Sequence, residues 1–210
     1  MTWTSHPDVS PRWTTQTVGM NAAILDRMER AVAKVRERLM RASTALTRIG
    51  VPFAVVGGNA VASWVATIDE GAVRNTRDVD LLVRRDDLPA ITIALEQAGF
   101  VSGKLLDVVM FRDGPDGKPS EAVHLLFAGA KLRPDHALPI PEIETIRDSE
   151  DIPVIALESL VVMKLMSHRD KDRTHLRDLI GVGLIDAAWL PRLPSQLSDR
   201  LKAILDTPDA

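Results

Sequence analysis

The chain has 210 residues, of which 45% are hydrophobic and 26% charged, and its formal net charge is −3. This composition is typical of a folded globular protein and argues against disorder, and the charge provides no overall attraction to nucleic acid. The absence of cysteine excludes disulfides, thiolate nucleophiles and cysteine-ligated zinc. The first nineteen residues are polar and lack the apolar centre of a signal peptide, so we expect a cytoplasmic protein without a membrane span.

The first predicted elements are an arm and a helix. Residues 1–19 predict a polar N-terminal arm, in which Trp3 and Trp13 are apolar anchors. Residues 20–49 predict a long amphipathic helix, because apolar side chains recur every three or four positions and Gly50 follows as an end signal.

The rest of the chain alternates between strand and helix patterns. A buried strand, a helix, a loop and a second strand are predicted at 51–56, 59–68, 69–75 and 76–83. A helix, a strand, a hairpin and two short edge strands follow at 88–98, 100–105, 107–111 with 122–127, 143–146 and 152–155. Helices are predicted at 157–168, 176–180, 186–190 and 195–205, with a charged break at 169–175.

This pattern predicts an α+β fold, in which helices flank a mixed β-sheet and a helical part follows it. The expected division is an arm over 1–19, an α/β core with its leading helix over 20–156, and a C-terminal helical region over 157–210.

Two residue pairs are candidates for chemistry. Gly57 and Gly58 lie between a predicted strand and helix, where backbone N–H groups are able to contact a phosphate, although a plain tight turn would look the same. Asp78 and Asp80 alternate with apolar residues, so in a strand their carboxylates leave one face and repel each other unless a cation lies between them. An oxygen-ligand ion such as Mg²⁺ would relieve that repulsion. Each pair alone is a weak signal, but together they predict a joint metal and phosphate site.

The same stretch resembles a known family. The sequences GGNAVASW at 57–64 and TRDVDLLV at 76–83 resemble the nucleotidyltransferase superfamily, which has the fold of polymerase β. Within it, the small bacterial branch of AbiEii-type and MenT-type toxins is the most similar. The resemblance covers about residues 51–128 and implies a nucleotidyltransferase-like fold.

The resemblance also implies roles for individual residues. Gly57 and Gly58 are expected to bind the phosphates of a nucleotide, and Arg77 is expected to contact phosphate as well. Asp78 and Asp80 are expected to be catalytic ligands of Mg²⁺, with Mn²⁺ as an alternative.

Two later segments extend or depart from the family pattern. Where the family has a third acid on a later strand, this chain has His124 in the run VHLLF. Histidine accepts protons near neutral pH and ligates metals, so His124 is a candidate catalytic residue, with Glu121 as another candidate base. A structural histidine in a weakened enzyme is the competing interpretation. The related toxins imply nucleotide binding for Lys164 and Asp172, whereas a solvated charged helix end is the alternative.

Taken together, these residues predict an enzyme that moves an NMP from an NTP to an acceptor hydroxyl, with Mg²⁺ as cofactor and pyrophosphate as leaving group. The resemblance leaves tRNA, protein or a small molecule as the acceptor and suggests a toxin whose partner is an antitoxin. The alternative is a nucleotidyltransferase fold that has lost catalysis and binds a nucleotide or a partner protein, which the histidine in place of an acid favours. A structural protein with a coincidental motif is a third hypothesis.

Overall fold

The computed structural model of the chain describes residues 22–105, 108–131 and 138–207. The predicted N-terminal arm, including Trp3 and Trp13, lies outside these residues.

The order of helices and strands follows the sequence patterns, except that the helix predicted at 186–190 is a 3-10 helix and the edge strand predicted at 152–155 lies inside the sheet. The helices are α1 (Ala22–Arg48), α2 (Gly57–Ala66), α3 (Leu88–Gln97), α4 (Leu157–Ser167), α5 (Asp170–Gly181) and α6 (Ser195–Leu205). The strands are β1 (Phe53–Val56), β2 (Val79–Val83), β3 (Phe100–Leu105), β4 (Val108–Asp113), β5 (Val123–Phe127), β6 (Thr145–Arg147) and β7 (Pro153–Ile155). Short 3-10 helices lie at Glu70–Ala72, Arg85–Asp87, Pro119–Glu121 and Ala187–Arg192.

The strands form one mixed sheet in the order β3-β4-β5-β2-β1-β7-β6. β2 is antiparallel to β1 on one side and parallel to β5 on the other, and β7 is parallel to β1. The remaining neighbours, β3 with β4, β4 with β5 and β6 with β7, are antiparallel. The central strands β1, β2 and β7 are almost entirely apolar and buried, as expected for strands covered on both faces. The fold is therefore the α+β arrangement that the sequence predicts.

One hydrophobic core contains residues of the sheet, of the helix that precedes it in the chain and of the helices that follow it. The C-terminal half of α1 contributes Ala42 and Leu46 to this core, whereas most of its N-terminal half is exposed. The C-terminal helices contribute Leu176 in α5 and Leu201 in α6 to the same core. Among the described residues no helix is long and apolar enough to cross a membrane.

Residues 170–175 of the charged segment are helical, so the prediction of a break over that whole segment is wrong. α4 ends at Ser167, His168 caps it in the left-handed conformation with φ +49°, and α5 begins at Asp170 after the cap residue Arg169. The carboxylate of Asp172 accepts a hydrogen bond from the backbone N–H of Arg169, which caps the start of α5. The break is therefore limited to the residues between the two helices, and the charged side chains occupy the first turns of α5.

Candidate active site

Two acids and a histidine meet at one end of the central strands. Asp78 immediately precedes β2, and Asp80 lies within it, beside His124 of the parallel strand β5. His124 Nδ1 lies 3.5 Å from Asp80 Oδ1. Ligand atoms of all three residues lie within 4.8 Å of one another, and all three side chains are half-buried. The structure thus brings together the three residues that the sequence marks as candidates for catalysis.

The glycine pair lies against this cluster because β1 runs antiparallel to β2. Gly57 begins α2 and has a φ of +69°, a conformation that L side chains rarely adopt. A Cβ on Gly57 would lie 2.8 Å from Asp80 Cγ and closer still to its Oδ2. A Cβ on Gly58 would lie 2.9 Å from Thr76 Cβ. The start of α2 therefore approaches the acids more closely than any residue with a side chain would allow.

Asp78 is held in place by three neighbours. The Thr76 hydroxyl donates a hydrogen bond to Asp78 Oδ1 over 2.6 Å, and Asn59 Nδ2 donates to the Asp78 carbonyl over 2.8 Å. Lys171 Nζ lies 3.5 Å from Asp78 Oδ2. Burial acts to raise the pKa of Asp78, but the Thr76 hydrogen bond and the Lys171 charge outweigh it, and the pKa lies below its ordinary value. Asp78 is therefore an anion at neutral pH.

His124 is oriented by a second contact on the far side of its ring. Its Nε2 lies 3.1 Å from the carbonyl oxygen of Pro119, in the 3-10 helix that leads into β5. The hydrogen bond to Asp80 raises the pKa of His124 above its ordinary value, against the opposing effect of burial. Glu121, the other candidate base, lies in that same 3-10 helix and not on β5, and it is not part of the cluster.

Cationic side chains from α4 and α5 face the acids. Lys164 Nζ lies 3.1 Å from Asp172 Oδ1, and both side chains are buried. Arg169 Nε donates to the other oxygen of Asp172 over 2.8 Å, so one carboxylate binds two cations. Burial opposes ionisation of Asp172, but these two partners hold its pKa at about 2. The hydrogen bond to Asp172 is the main cause of a raised pKa of Arg169, and the charges of Asp80 and Asp78 add to it, so the start of α5 lies within electrostatic reach of the acids.

A buried arginine of α1 forms a hydrogen bond with the backbone of the segment that precedes β2. Arg38 of α1 donates from Nη1 to the Arg77 carbonyl over 3.0 Å and from Nε to Asp113 of β4 over 3.3 Å. Arg41 also binds Asp113. The backbone just before Asp78 is therefore fixed to both α1 and β4, and the side chain of Arg77 points out to solvent as an exposed residue.

The structure adds five residues that the sequence analysis does not assign to the site, namely Thr76, Asn59, Arg169, Lys171 and Arg38. Thr76 lies two residues before Asp78, the spacing at which a threonine hydroxyl often binds locally, so a local signal exists for it. Asn59 and Lys171 carry no such signal, because their contacts depend on how α2 and α5 pack against β2. Nothing in the sequence distinguishes Arg38 from the other basic residues of α1, so its burial could not be predicted.

The donor set is compatible with a divalent metal ion. Two carboxylates and an imidazole are ligands that divalent cations accept in proteins, and their ligand atoms converge. Because Gly57 has no side chain, the carboxylate of Asp80 lies directly against the backbone at the start of α2. A metal at this point would neutralise two anions that otherwise repel each other.

Comparisons with known proteins identify the fold. No family model matches the sequence, and a comparison with curated proteins finds no match. The antibiotic-resistance factor ANT(2'')-Ia has a similar structure, with a TM-score of 0.53 and 13% identity over 84% of this chain and 91% of that chain. The lincosamide antibiotic adenylyltransferase LnuA, with lincomycin bound, has a TM-score of 0.50 and 13% identity over 70% of this chain and 96% of that chain. At sequence identities this low, the structural similarity establishes the fold alone. That fold is the nucleotidyltransferase-like α+β fold that the sequence predicts.

Proposed function

We propose that the protein is a divalent-cation-dependent nucleotidyltransferase that moves an NMP from an NTP to an acceptor hydroxyl. The observation that carries this proposal is the convergence of Asp78, Asp80 and the glycine start of α2 on one spot. A helix start favours phosphate, and paired carboxylates favour a divalent cation, so the two together suit a metal-bound triphosphate. The fold is compatible with this chemistry, but a fold alone would not argue for it.

In the proposed reaction, the acceptor oxygen attacks the α-phosphorus and releases its hydroxyl proton to solvent, the bond from the α-phosphorus to the oxygen that bridges it to the β-phosphorus breaks, and pyrophosphate leaves. Mg²⁺ or Mn²⁺, held by Asp78 and Asp80, would supply charge neutralisation for the phosphates. Gly57 and Gly58 let the phosphates approach the backbone N–H groups of α2. The fixed positions of these groups, rather than covalent chemistry by the protein, would supply most of the rate enhancement.

Arg169, which caps the start of α5, and Lys171 in its first turn are proposed to bind the distal phosphates. Arg169 and Lys171 are at least partly exposed and lie near the acids, so they are suited to contact an anion there. Lys164 and Asp172 are buried against each other, and their part in nucleotide binding would be to fix the start of α5 and to orient Arg169. Arg77 is exposed beside the site and is a further candidate for a phosphate contact.

The acceptor and the biological role are finer parts of the proposal. ANT(2'')-Ia is an antibiotic-resistance factor, and LnuA is an adenylyltransferase of lincosamide antibiotics. A small hydroxylated molecule is therefore one acceptor to test, beside tRNA and protein. The resemblance to AbiEii-type and MenT-type toxins keeps a toxin with an antitoxin partner as the other hypothesis for the role.

The test measures transfer of label from each of the four α-³²P-labelled NTPs, with Mg²⁺ or Mn²⁺, onto total tRNA, the protein itself and a panel of aminoglycosides and lincosamides. Asp78→Asn and Asp80→Asn should each abolish transfer while leaving the fold intact by circular dichroism. Asp86→Asn is the matched control, because Asp86 is exposed and lies beyond the other end of β2. Transfer that survives the change of both site acids would refute the site assignment.

A second candidate function is favoured by one observation, namely the histidine beside Asp80. In this alternative the protein binds a nucleotide or a partner without turnover. Nucleotide binding by calorimetry in the presence of metal, combined with no transfer from any NTP to any acceptor, would favour the alternative over the enzyme.

A further inference from the structure

The imidazole of His124 has one nitrogen directed at the acids and the other directed at the backbone. Nδ1 lies 3.5 Å from Asp80 Oδ1, and Nε2 lies 3.1 Å from the Pro119 carbonyl oxygen. The parallel pairing of β2 and β5 places His124 directly beside Asp80, so this direction is set by the sheet and not by a mobile loop.

The contact with Pro119 assigns the two nitrogens. A carbonyl oxygen only accepts hydrogen bonds, so Nε2 must carry a proton for this contact to be a hydrogen bond. In the neutral ring the lone pair is then on Nδ1, and it faces the carboxylate of Asp80. Two acceptors that face each other repel, and the repulsion is removed either by a proton on Nδ1, which then donates to Asp80, or by a metal ion that takes the place of this proton. The hydrogen bond of a ring N–H to a backbone carbonyl is also the usual support of a metal-bound histidine.

We propose that His124 Nδ1 is a direct ligand of the metal held by Asp78 and Asp80, and that it makes this site select Mn²⁺ over Mg²⁺. The inference rests on the proposed function, because it concerns the same ion. Mg²⁺ prefers oxygen ligands only, whereas divalent transition ions accept imidazole readily. A third carboxylate at this position would favour Mg²⁺, so His124 changes the selectivity of the site and does not simply weaken it.

The test is a binding measurement on the whole protein with Mn²⁺ as the paramagnetic probe. Free Mn²⁺ is counted by electron paramagnetic resonance, and Mg²⁺ affinity is obtained by competition against it. Electron spin-echo modulation then reports whether a ¹⁴N nucleus is bonded to the bound Mn²⁺. Wild type should show ¹⁴N modulation and bind Mn²⁺ more tightly than Mg²⁺.

Two substitutions isolate the ligand. His124→Asp should remove the ¹⁴N modulation and lower the ratio of Mn²⁺ to Mg²⁺ affinity by about tenfold or more, the loss typical of even a secondary metal contact. His124→Asn should also remove the modulation, and it serves if the aspartate variant does not fold. His168→Asn is the matched control, because His168 lies at the end of α4 in the left-handed conformation that Asn tolerates. It should leave both readouts unchanged.

The outcomes separate this inference from the proposed function. Bound Mn²⁺ without ¹⁴N modulation, or an affinity ratio that His124→Asp leaves unchanged, would overturn the assignment of His124 while NMP transfer could still occur. Nitrogen-coordinated Mn²⁺ in a protein that transfers no NMP would support the assignment and count against the enzyme. ¹⁴N modulation that persists in both His124 variants would also overturn the assignment of His124 as a metal ligand.

Discussion

Gly57→Ala tests the closest approach in the site, and Gly50→Ala is its matched control. Both glycines have a φ of +69°, so an alanine at either position carries the same backbone strain, about 1–2 kcal/mol. At Gly50 a Cβ would meet no atom within 4 Å, whereas at Gly57 it would collide with Asp80. The Asp80 side chain must then rotate, and the backbone must also shift because the new Cβ lies 2.9 Å from Asp80 Cβ, so Gly57→Ala should lose at least about 1 kcal/mol more than Gly50→Ala.

The displaced carboxylate should also affect the metal. A rotated Asp80 moves away from His124, so Gly57→Ala should weaken Mn²⁺ binding by at least about tenfold, equivalent to about 1.4 kcal/mol. Gly50→Ala, located at the end of α1, should leave the Mn²⁺ affinity unchanged. Urea unfolding followed by circular dichroism gives the stability difference, and the electron paramagnetic resonance titration gives the affinity.

A double substitution connects the two effects to the same atoms. In a protein with Asp80→Ala, the extra cost of Gly57→Ala should shrink but not vanish, because Oδ2 and Cγ are gone while the Cβ at position 80 remains 2.9 Å from the new Cβ. Equal losses for the Gly57 and Gly50 variants, with Mn²⁺ affinity intact in both, would refute the claim that α2 begins in contact with Asp80.

Three further predictions concern the charges around the site. Lys164→Met should destabilise the fold by about 1.5–3 kcal/mol, the cost of one hydrogen bond to a charged group, because Asp172 keeps Arg169 as a partner, and Lys164→Met with Asp172→Leu should recover part of the loss. The pKa of Asp172 is about 2 in the folded protein, against 3.8 ordinarily, so Asp172 should contribute about 2 kcal/mol to the free energy of unfolding at pH 7. This contribution should be lost as the pH falls from about 4 to 2, because the unfolded chain takes up the proton before the folded one does. Thr76→Val should raise the pKa of Asp78, since it removes the hydroxyl that stabilises the anion.

Urea unfolding at pH 7 measures the stability of the Lys164 variants. Urea unfolding from pH 7 down to pH 3, with and without Asp172→Asn, measures the contribution of Asp172. Carbon-detected NMR titration without metal measures the pKa of Asp78 in wild type and in Thr76→Val. A single Lys164→Met variant as stable as wild type would contradict the buried pair. An identical pH dependence with and without Asp172→Asn would contradict its lowered pKa. An unchanged titration of Asp78 in Thr76→Val would contradict the hydrogen bond.

The sequence predicts most elements because their local patterns are strong. The apolar run before Gly57 predicts β1, and the alternation at Asp78 and Asp80 predicts the strand that follows α2, although β2 itself begins only at Val79. Such patterns act over a few residues, and the fold agrees with them.

What the sequence could not predict depends on pairing over long distances. The side-by-side position of Asp80 and His124 follows from the register of β2 against β5, which no local pattern fixes. The contact of Lys171 with Asp78 follows from the packing of α5, whose first turns are too polar to be recognised as a helix by periodicity. The family resemblance gave the glycines and acids as a site, but only the fold shows what lies opposite them.

The position of β5 beside β2 determines when, during folding, the proposed metal site is complete. The chain between these strands builds α3, β3 and β4, so closing this pair costs loop entropy before its contacts form. A growing chain that ends before β5 has both glycines and both acids but lacks the imidazole. A cation held by all three ligands would bind the completed sheet in preference to such a chain, and it would stabilise only the finished fold. The ion would then stabilise the chain only after β5 has paired with β2, in addition to its proposed part in the chemistry.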